Sequence, residues 1–209
     1  MARKKDQERA RRAIIDAALA AVAEPGVDRL RIREIAGTAG VSPGTVHYYF
    51  EDLANLLHEV HRFASDRFFG DRLAMVTEIP DARTKIGALI WAGLPESPDD
   101  TLVTALYRLA SYHAVSAQHG DLITALFNQQ VAVYASALEV GIAQGHFTIE
   151  GPILSVARNL VALEDAYGLH IVSRNRSMTK VTAAELICSF ARTATRCPDI
   201  TVPAEEAHR

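Results

Sequence analysis

Residues 32–50 read IREIAGTAGVSPGTVHYYF, and this stretch decides the fold. Gly40 can take the left-handed conformation that ends one helix, and Ser42 can cap the next helix with Pro43 at its first position. Val41 can plug the turn between them, and Ala36 is small enough to let two helices cross closely. The pattern predicts a helix-turn-helix, with short helices at about 32–39 and 43–50.

The second of these helices has two different faces. Val46 and Phe50 are four residues apart and face the core. The outward side carries Thr45, His47, Tyr48 and Tyr49. A polar and aromatic face of this kind suits the major groove of DNA. The same turn also fits an ordinary hairpin in a helical bundle, because short motif matches are weak.

The rest of the chain shows helical spacing of apolar residues and almost no strand signal, so we predict an all-α fold. A first helix is expected at about 7–23, ended by Pro25 and Gly26. A long helix begins near Asp52 and breaks up around Gly70 and Pro80. Further helices are predicted at about 81–93, 98–117, 121–144, 152–174 and 179–196. The long helix would join an N-terminal three-helix head, residues 1–50, to a second domain, residues 51–209.

Basic charge is concentrated at the start of the chain. The net charge is −3, but residues 1–50 hold 9 Lys and Arg against 6 Asp and Glu. A solubilising tail and a phosphate-binding arm both fit the N-terminal cations. These cations are Arg3, Lys4, Lys5, Arg9, Arg11 and Arg12. With no membrane-spanning run, no signal peptide and no need for its two cysteines to pair, the chain is expected to be cytoplasmic, with no membrane partner.

The N-terminal quarter resembles the TetR family of regulators. The residues that stand where the family signature expects them are Ile15, Ala18, Gly26, Ile35, Ala36, Ala39, Gly40, Val41, Ser42, Gly44, Thr45, Val46, Tyr49, Phe50, Leu56 and Leu57. His47 departs from the usual Tyr, Leu53 from the usual Lys, and Arg31 from the usual Ser or Thr cap. A weaker resemblance links residues 163–170, LEDAYGLH, to the dimer helix of regulators with a BetI-like C-terminal domain.

The resemblance implies a ligand-responsive transcriptional repressor. Such a protein binds a pseudo-palindromic double-stranded DNA operator as a homodimer and is released by a small-molecule effector. The residues expected to contact DNA are Arg31, Arg33, Ser42, Pro43, Gly44, Thr45, His47, Tyr48 and Tyr49. The alternative is a helical small-molecule-binding or interaction protein whose DNA-binding head is degenerate.

The second domain is expected to carry the ligand-binding and dimerisation functions. The predicted helix 152–174 is apolar around most of its circumference, which favours a dimer contact. The predicted interface residues are Leu160, Leu163, Tyr167 and Ile171. Aromatic residues with few polar neighbours favour an apolar or aromatic effector, cationic ones included, although they also fit a plain core. The ligand-binding candidates are Phe63, Trp91, Tyr107, His113, Phe127 and Tyr134.

Other chemistry is expected to be absent. His58 and His61 are three residues apart, but no Cys or carboxylate completes a metal set, so a solvated helix face is favoured and no metal is predicted. Glu164 and Asp165 are adjacent and point roughly 100° apart on a helix, so they cannot act as an acid–base pair. At least one of them should lie near an interface or cavity. A helical enzyme is the rival class, but we find no catalytic constellation and expect no cofactor and no enzymatic activity.

Overall fold

The computed structural model describes residues 2–24, 29–111 and 117–203, and these ranges contain nine α-helices and no β-strand. The all-α prediction is confirmed. None of the described helices combines the length and the apolarity needed to cross a membrane. The helices are α1 Ala2–Ala23, α2 Ile32–Thr38, α3 Pro43–Tyr49, α4 Leu53–Thr77, α5 Ala82–Gly93, α6 Thr101–Ser111, α7 Ala117–Ala143, α8 Ile153–Val172 and α9 Lys180–Thr195.

Side-chain caps fix several helix starts. The Asp81 carboxylate accepts a hydrogen bond from the Arg83 backbone N–H at the start of α5. The Thr179 hydroxyl accepts one from the Thr182 N–H at the start of α9. Such caps satisfy backbone groups that a helix leaves unpaired at its end. The predicted helix stop at residues 25–26 lies outside the described residues.

Helix α4 is longer than the sequence predicts. It continues through Gly70 and ends at Thr77, before Pro80. The predicted break at Gly70 is therefore wrong. Gly70 is exposed, with open space where a Cβ atom would stand, and a single glycine costs a helix only about 1 kcal/mol relative to alanine.

The chain forms two compact units. The first unit comprises Met1–Phe68 and Thr101–Thr124, and the second comprises Phe69–Asp100 and Ala125–Arg209. Helices α4 and α7 therefore contribute residues to both units. Since these units describe packing and not function, the proposed functional boundary near residue 51 stays a prediction.

The core of the second unit is built from α5, α7, α8 and α9. Its largest fully buried side chains include Ile86, Leu89, Tyr134, Leu138 and Leu160. Both cysteines are free and buried, as expected for packing residues. The predicted apolar stripe of α7 is buried or half-buried from Phe127 to Leu138, but its last member, Ile142, is exposed.

A glycine at the end of α5 allows one close approach in this core. A Cβ atom added to Gly93 would lie 2.3 Å from the nearer carboxylate oxygen of Glu164. Glu164 is buried and hydrogen-bonded, so it cannot swing away freely. We therefore expect Gly93→Ala to lower the free energy of unfolding by about 1–3 kcal/mol.

Urea denaturation of the wild type and the variant measures this effect. Gly70→Ala is the matched control, since the same atom is added to an exposed helical site. The control should raise stability by roughly 0.5–1 kcal/mol. Equal shifts in the two variants would contradict the close contact at Gly93.

Candidate nucleic-acid interface and buried polar clusters

The turn between α2 and α3 has the geometry that its residues predict. Gly40 adopts a φ of 68°, in the left-handed region that favours glycine. The Ser42 hydroxyl accepts a hydrogen bond of 3.1 Å from the Thr45 N–H, and Pro43 occupies the first turn of α3. The predicted turn and cap are confirmed. The direction of α3 is therefore fixed by local interactions.

Apolar side chains anchor the two short helices, α2 and α3, within the first unit. Ile35 and Ala36 of α2 and Val46 of α3 are fully buried, and Phe50 is almost fully buried. The guanidinium of Arg11 lies 5.2 Å from the centre of the Phe50 ring. This confirms the predicted inner face of α3 and leaves its opposite face in solvent.

The outer face of α3 exposes a tyrosine. Tyr48 is 71 % exposed, and its ring meets that of the half-buried Tyr49 edge-on, with ring centres 5.0 Å apart. His47 is exposed as well. Thr45 is half-buried, and its hydroxyl lies 2.8 Å from that of Ser42. Tyr48 and His47 are therefore the side chains most available to a base edge.

Two exposed arginines lie at the start of α2. Arg31 is exposed and precedes α2 without making a side-chain cap, as its identity predicts. Arg33 is exposed too, whereas Leu53 at the start of α4 is half-buried. The remaining exposed residues of the predicted DNA contact set are Ser42, Pro43 and Gly44.

Part of the N-terminal basic charge is already paired within the first unit. Arg11 forms an ion pair with Glu59, and Arg12 forms one with Asp16 at 2.9 Å. Lys5 and Arg9 are exposed, while the side chains of Arg3 and Lys4 lie outside the described residues. Arg11 and Arg12 therefore already have an anionic partner within the chain.

The predicted ligand-binding residues are divided between the two units. Phe63 and Tyr107 lie in the first unit, and Trp91, Phe127 and Tyr134 lie in the second. Their roles in binding stay predictions. His113 lies outside the described residues.

Two of these aromatic rings already have a cation beside them. The guanidinium of Arg12 lies 4.1 Å from the centre of the Phe63 ring, and the ammonium of the buried Lys180 lies 4.3 Å from that of Trp91. Such contacts use the negative face of an aromatic ring.

Tyr134 belongs to a buried polar cluster that the sequence does not reveal. Its hydroxyl donates a hydrogen bond to Glu164, which also accepts one of 2.5 Å from Arg72. Arg72 donates further to the Gln130 side chain at 2.6 Å and to the Leu89 carbonyl at 2.8 Å. All four side chains are buried. Of the adjacent pair Glu164 and Asp165, it is therefore Glu164 that enters the interior.

Burial and charge act in opposite directions on this cluster. Burial raises the pKa of Glu164 to about 7, against the opposing effects of Arg72 and Tyr134. Burial is the largest single effect on Arg72 and acts to lower its pKa, but the charges and hydrogen bonds of Glu164 and Tyr134 together outweigh it and raise the pKa. Arg72 therefore stays charged at every accessible pH, and Glu164 is the member of the pair that takes up a proton.

Three histidines meet in the first unit. The ring centre of His119 on α7 lies 5.3 Å from that of His58 and 5.5 Å from that of His61, both on α4. His61 is 2 % exposed, so the predicted solvated face is wrong for this residue. Burial, followed by the charges of His119 and His58, lowers the pKa of His61 to about 4. Burial lowers the pKa of His119 as well, although a hydrogen bond with the Leu57 backbone acts to raise it. The His61 and His119 rings are therefore neutral at pH 7.

Residues 14–60 match the family model described as bacterial regulatory proteins, tetR family. This segment contains the whole helix-turn-helix described above. Residues 14–60 therefore carry the DNA-binding segment of the TetR family.

Curated relatives of this chain are transcriptional regulators. The HTH-type transcriptional repressor KstR2 of Rhodococcus jostii is 24 % identical over 134 residues, which cover 64 % of this chain and 66 % of KstR2. The HTH-type transcriptional regulator BetI of Rhizobium meliloti is 35 % identical over 80 residues, which cover 38 % of this chain and 39 % of BetI. The chain thus matches just under two thirds of the first relative and about two fifths of the second.

A solved structure extends the likeness of this chain beyond the helix-turn-helix. A protein from Saccharomonospora viridis, described as a transcriptional regulator in complex with choline, has a TM-score of 0.82. It is 23 % identical, and the alignment covers 90 % of this chain and 98 % of that one. At this level of identity, the likeness shows a common fold.

The predicted dimer residues of this chain differ in exposure. Leu160 and Ile171 are buried by their own chain, and Leu163 and Tyr167 are half-buried. A residue that its own core covers has no area left for a partner, so Leu160 and Ile171 are reassigned to the core. The exposed large apolar residues of α8 and α9 are Leu154, Leu169, Val181 and Leu186.

Proposed function

We propose that this protein is a ligand-responsive transcriptional repressor of the TetR family that binds a pseudo-palindromic operator as a homodimer. The observation that carries the proposal is the exposed outer face of a firmly capped α3. Tyr48 and His47 stand on it, and Arg31 and Arg33 are exposed at the start of the preceding helix α2. In such a head the second helix reads base edges, and neighbouring cations bind the phosphate backbone.

A homodimer supplies the second recognition helix. Two copies of α3 must be separated by one turn of DNA, roughly 34 Å, to read both half-sites of an operator. The apolar residues that α8 and α9 leave exposed are suited to this contact, because a two-fold interface uses the same surface of both copies. We propose Leu154, Leu169, Val181 and Leu186 as its apolar residues.

Effector binding is proposed for the helical domain beyond α3. An effector that binds more tightly to a conformer with a different head spacing lowers operator affinity by that difference. We propose an apolar or aromatic effector, and the choline complex of the Saccharomonospora viridis neighbour supports including cationic compounds. Trp91 is the sole tryptophan, so its fluorescence is a direct probe of binding near α5.

The alternative of a degenerate DNA-binding head has less support. The glycine conformation, the Ser42 cap and the buried positions of Val46 and Phe50 are all in place. A head released from its binding role would have no reason to keep this turn while exposing an aromatic side chain on its outer face. Arg11 and Arg12 each form an ion pair within the chain, which points instead to reduced affinity for the phosphate backbone of DNA.

Tyr48→Ala and Arg33→Ala separate base reading from phosphate binding. We expect Tyr48→Ala to weaken operator binding by about 1–3 kcal/mol and to relax base preference. Arg33→Ala should weaken binding to all sequences alike and reduce the slope of log affinity against log salt by about one. Fluorescence anisotropy with DNA flanking the protein's own gene, over a salt series, measures both effects.

Arg176→Ala is the control for the loss of one exposed cation far along the chain from the head. It should leave the operator affinity and the salt slope unchanged. Wild-type protein that prefers no sequence in the flanking DNA over random DNA would sink the repressor proposal. Tyr48→Ala with unchanged affinity and base preference would remove α3 from its reading role.

A further inference from the structure

Three histidine rings pack together in the first unit, where α7 contacts α4. The ring centre of His119 lies 5.3 Å from that of His58 and 5.5 Å from that of His61. His61 and His119 are both more than nine-tenths buried. These three residues, which we call the histidine cluster, therefore form part of the interior contact between the two helices.

Hydrogen bonding in the histidine cluster favours neutral rings. His119 has the Leu57 backbone as a partner, but the buried Nδ1 atom of His61 has none. The buried hydroxyl of Ser65, one turn beyond His61 on α4, makes no hydrogen bond either, so it does not serve His61 as an acceptor. A neutral imidazole carries a proton on one nitrogen, whereas a charged one carries a proton on both. A protonated His61 would therefore bury an N–H group without an acceptor, which is costly.

Among the described residues, no carboxylate offsets this cost at His61. The charges that act on it are those of His119, on the opposite helix, and His58, on its own helix. Both can only be positive, so a proton on one ring opposes a proton on the next. The carboxylate closest along α4, that of Glu59, is already bound by two arginines, and Asp121 on α7 is exposed.

The cation that matters for the histidine cluster is the proton. Within the described ranges, no three His, Cys, Asp or Glu side chains could hold a metal ion, whereas histidine ordinarily changes its charge between pH 5 and pH 8. His119 also lies in the first turn of α7, where the positive end of the helix dipole disfavours a charged imidazole. The packed arrangement is therefore most stable while its rings are neutral.

We propose that the histidine cluster is an acid-sensitive switch, in which proton uptake by His61 loosens α4 from α7 and destabilises the first unit. Burial, followed by the charges of His119 and His58, lowers the pKa of His61 from 6.5 to about 4. The neutral ring therefore contributes its full stability above pH 6.5, and this contribution is lost as pH falls towards 4. The first unit also contains α1–α3, so acid would weaken operator binding, a consequence that rests on the proposed function.

Urea denaturation of the full chain without DNA, at pH 7 and pH 5 and at fixed protein concentration, tests the switch. Between these pH values, His61 alone should raise the unfolding equilibrium constant of the wild type about 20-fold. His61→Phe keeps a ring that takes up no proton, so its rise should be about 20-fold smaller. Other titrating groups, Glu164 included, cancel in the comparison. His170→Phe is the control, because His170 is exposed on α8, and it should respond to pH as the wild type does.

NMR of the folded wild type keeps the test independent of how the variants fold. The ring signals of His61 should titrate with a midpoint well below 6.5. Hydrogen exchange, corrected for the intrinsic effect of pH, should show protection lost at pH 5 around His61 and His119 but not along α9. A His61 midpoint at or above 6.5, protection lost equally in α9, or equal acid responses of the wild type and a folded His61→Phe variant would overturn the proposal. A chain that behaves as expected but binds no operator would refute the repressor and leave the switch supported.

Discussion

Arg72→Met is expected to make the stability of the protein fall with rising pH across a range where the wild type has levelled off. Burial raises the pKa of Glu164 to about 7 even with Arg72 beside it. Without the guanidinium, nothing opposes burial except the Tyr134 hydroxyl, so the pKa rises further. A carboxyl whose pKa is higher in the folded state stabilises the fold below its unfolded pKa and loses that contribution as pH rises through the folded value.

The size of the effect follows from this linkage. In the wild type, the loss occurs between about pH 4.5 and pH 7. In Arg72→Met it continues above pH 7 at about 1.4 kcal/mol per pH unit, so the deficit at pH 9 should exceed that at pH 6 by about 3 kcal/mol. Arg72→Met also loses stability by an amount that does not depend on pH, because the Gln130 side chain and the Leu89 carbonyl lose the hydrogen-bond donor that Arg72 provides. Urea denaturation of both proteins at fixed concentration from pH 5 to pH 9 measures both parts.

The double variant Arg72→Met/Glu164→Gln removes the titrating carboxyl from the same cavity. Its stability relative to the wild type should lack the steep decline above pH 7, because a buried pair replaced as a unit leaves no charge behind. Parallel pH profiles of Arg72→Met and the double variant would show that Glu164 does not titrate in the fold. A deficit of the single variant that shrinks as pH rises would contradict the direction of the pKa shift.

The helix-turn-helix could be predicted because each part of it is a local requirement. A left-handed residue at Gly40, a cap at Ser42 and the four-residue spacing of Val46 and Phe50 are all readable within 19 consecutive residues. Tertiary packing then agreed with local preference at every one of these positions. The break at Gly70 was predicted wrongly because an exposed glycine weakens a helix without ending it.

The buried clusters could not be predicted because they join distant parts of the chain. Arg72 and Glu164 are 92 residues apart, and no local signal distinguishes this arginine from a solvated one. The pair His58 and His61 was visible, but His119 carries no pattern that connects it to α4. Gly93 is a glycine because a side chain there would collide with Glu164. The sequence alone does not reveal this contact, since it depends on how the helices pack.

The interface on α8 shows the same difference between pattern and packing. Apolar residues around most of the circumference of a helix predict that several of its sides are covered, but not which side a partner covers. Leu160 lies on the core side of α8 and is fully buried, whereas Leu169 is 50 % exposed. Two substitutions of the same kind on this one helix should therefore have different consequences.

Leu160→Glu is expected to unfold the protein, whereas Leu169→Glu should yield a folded monomer. The first places a carboxylate in a packed core without a partner and removes a buried leucine, at a cost of about 4 kcal/mol or more. The second changes the stability of the single chain by roughly 0.5 kcal/mol or less, because its site is open to water, but it places like charges opposite each other in the proposed two-fold contact. Circular dichroism reports folding, and sedimentation velocity reports the oligomeric state.

Ile123→Glu is the matched control, because Ile123 is 38 % exposed on α7 and belongs to the other compact unit. It should remain folded and dimeric, as the wild type is expected to be. A wild type that sediments as a monomer, or a folded Leu169→Glu variant that remains a dimer, would remove Leu169 from the proposed contact. A folded and dimeric Leu160→Glu variant would contradict the packing of α8 itself, since no repacking around a buried leucine accommodates an unpaired carboxylate at small cost.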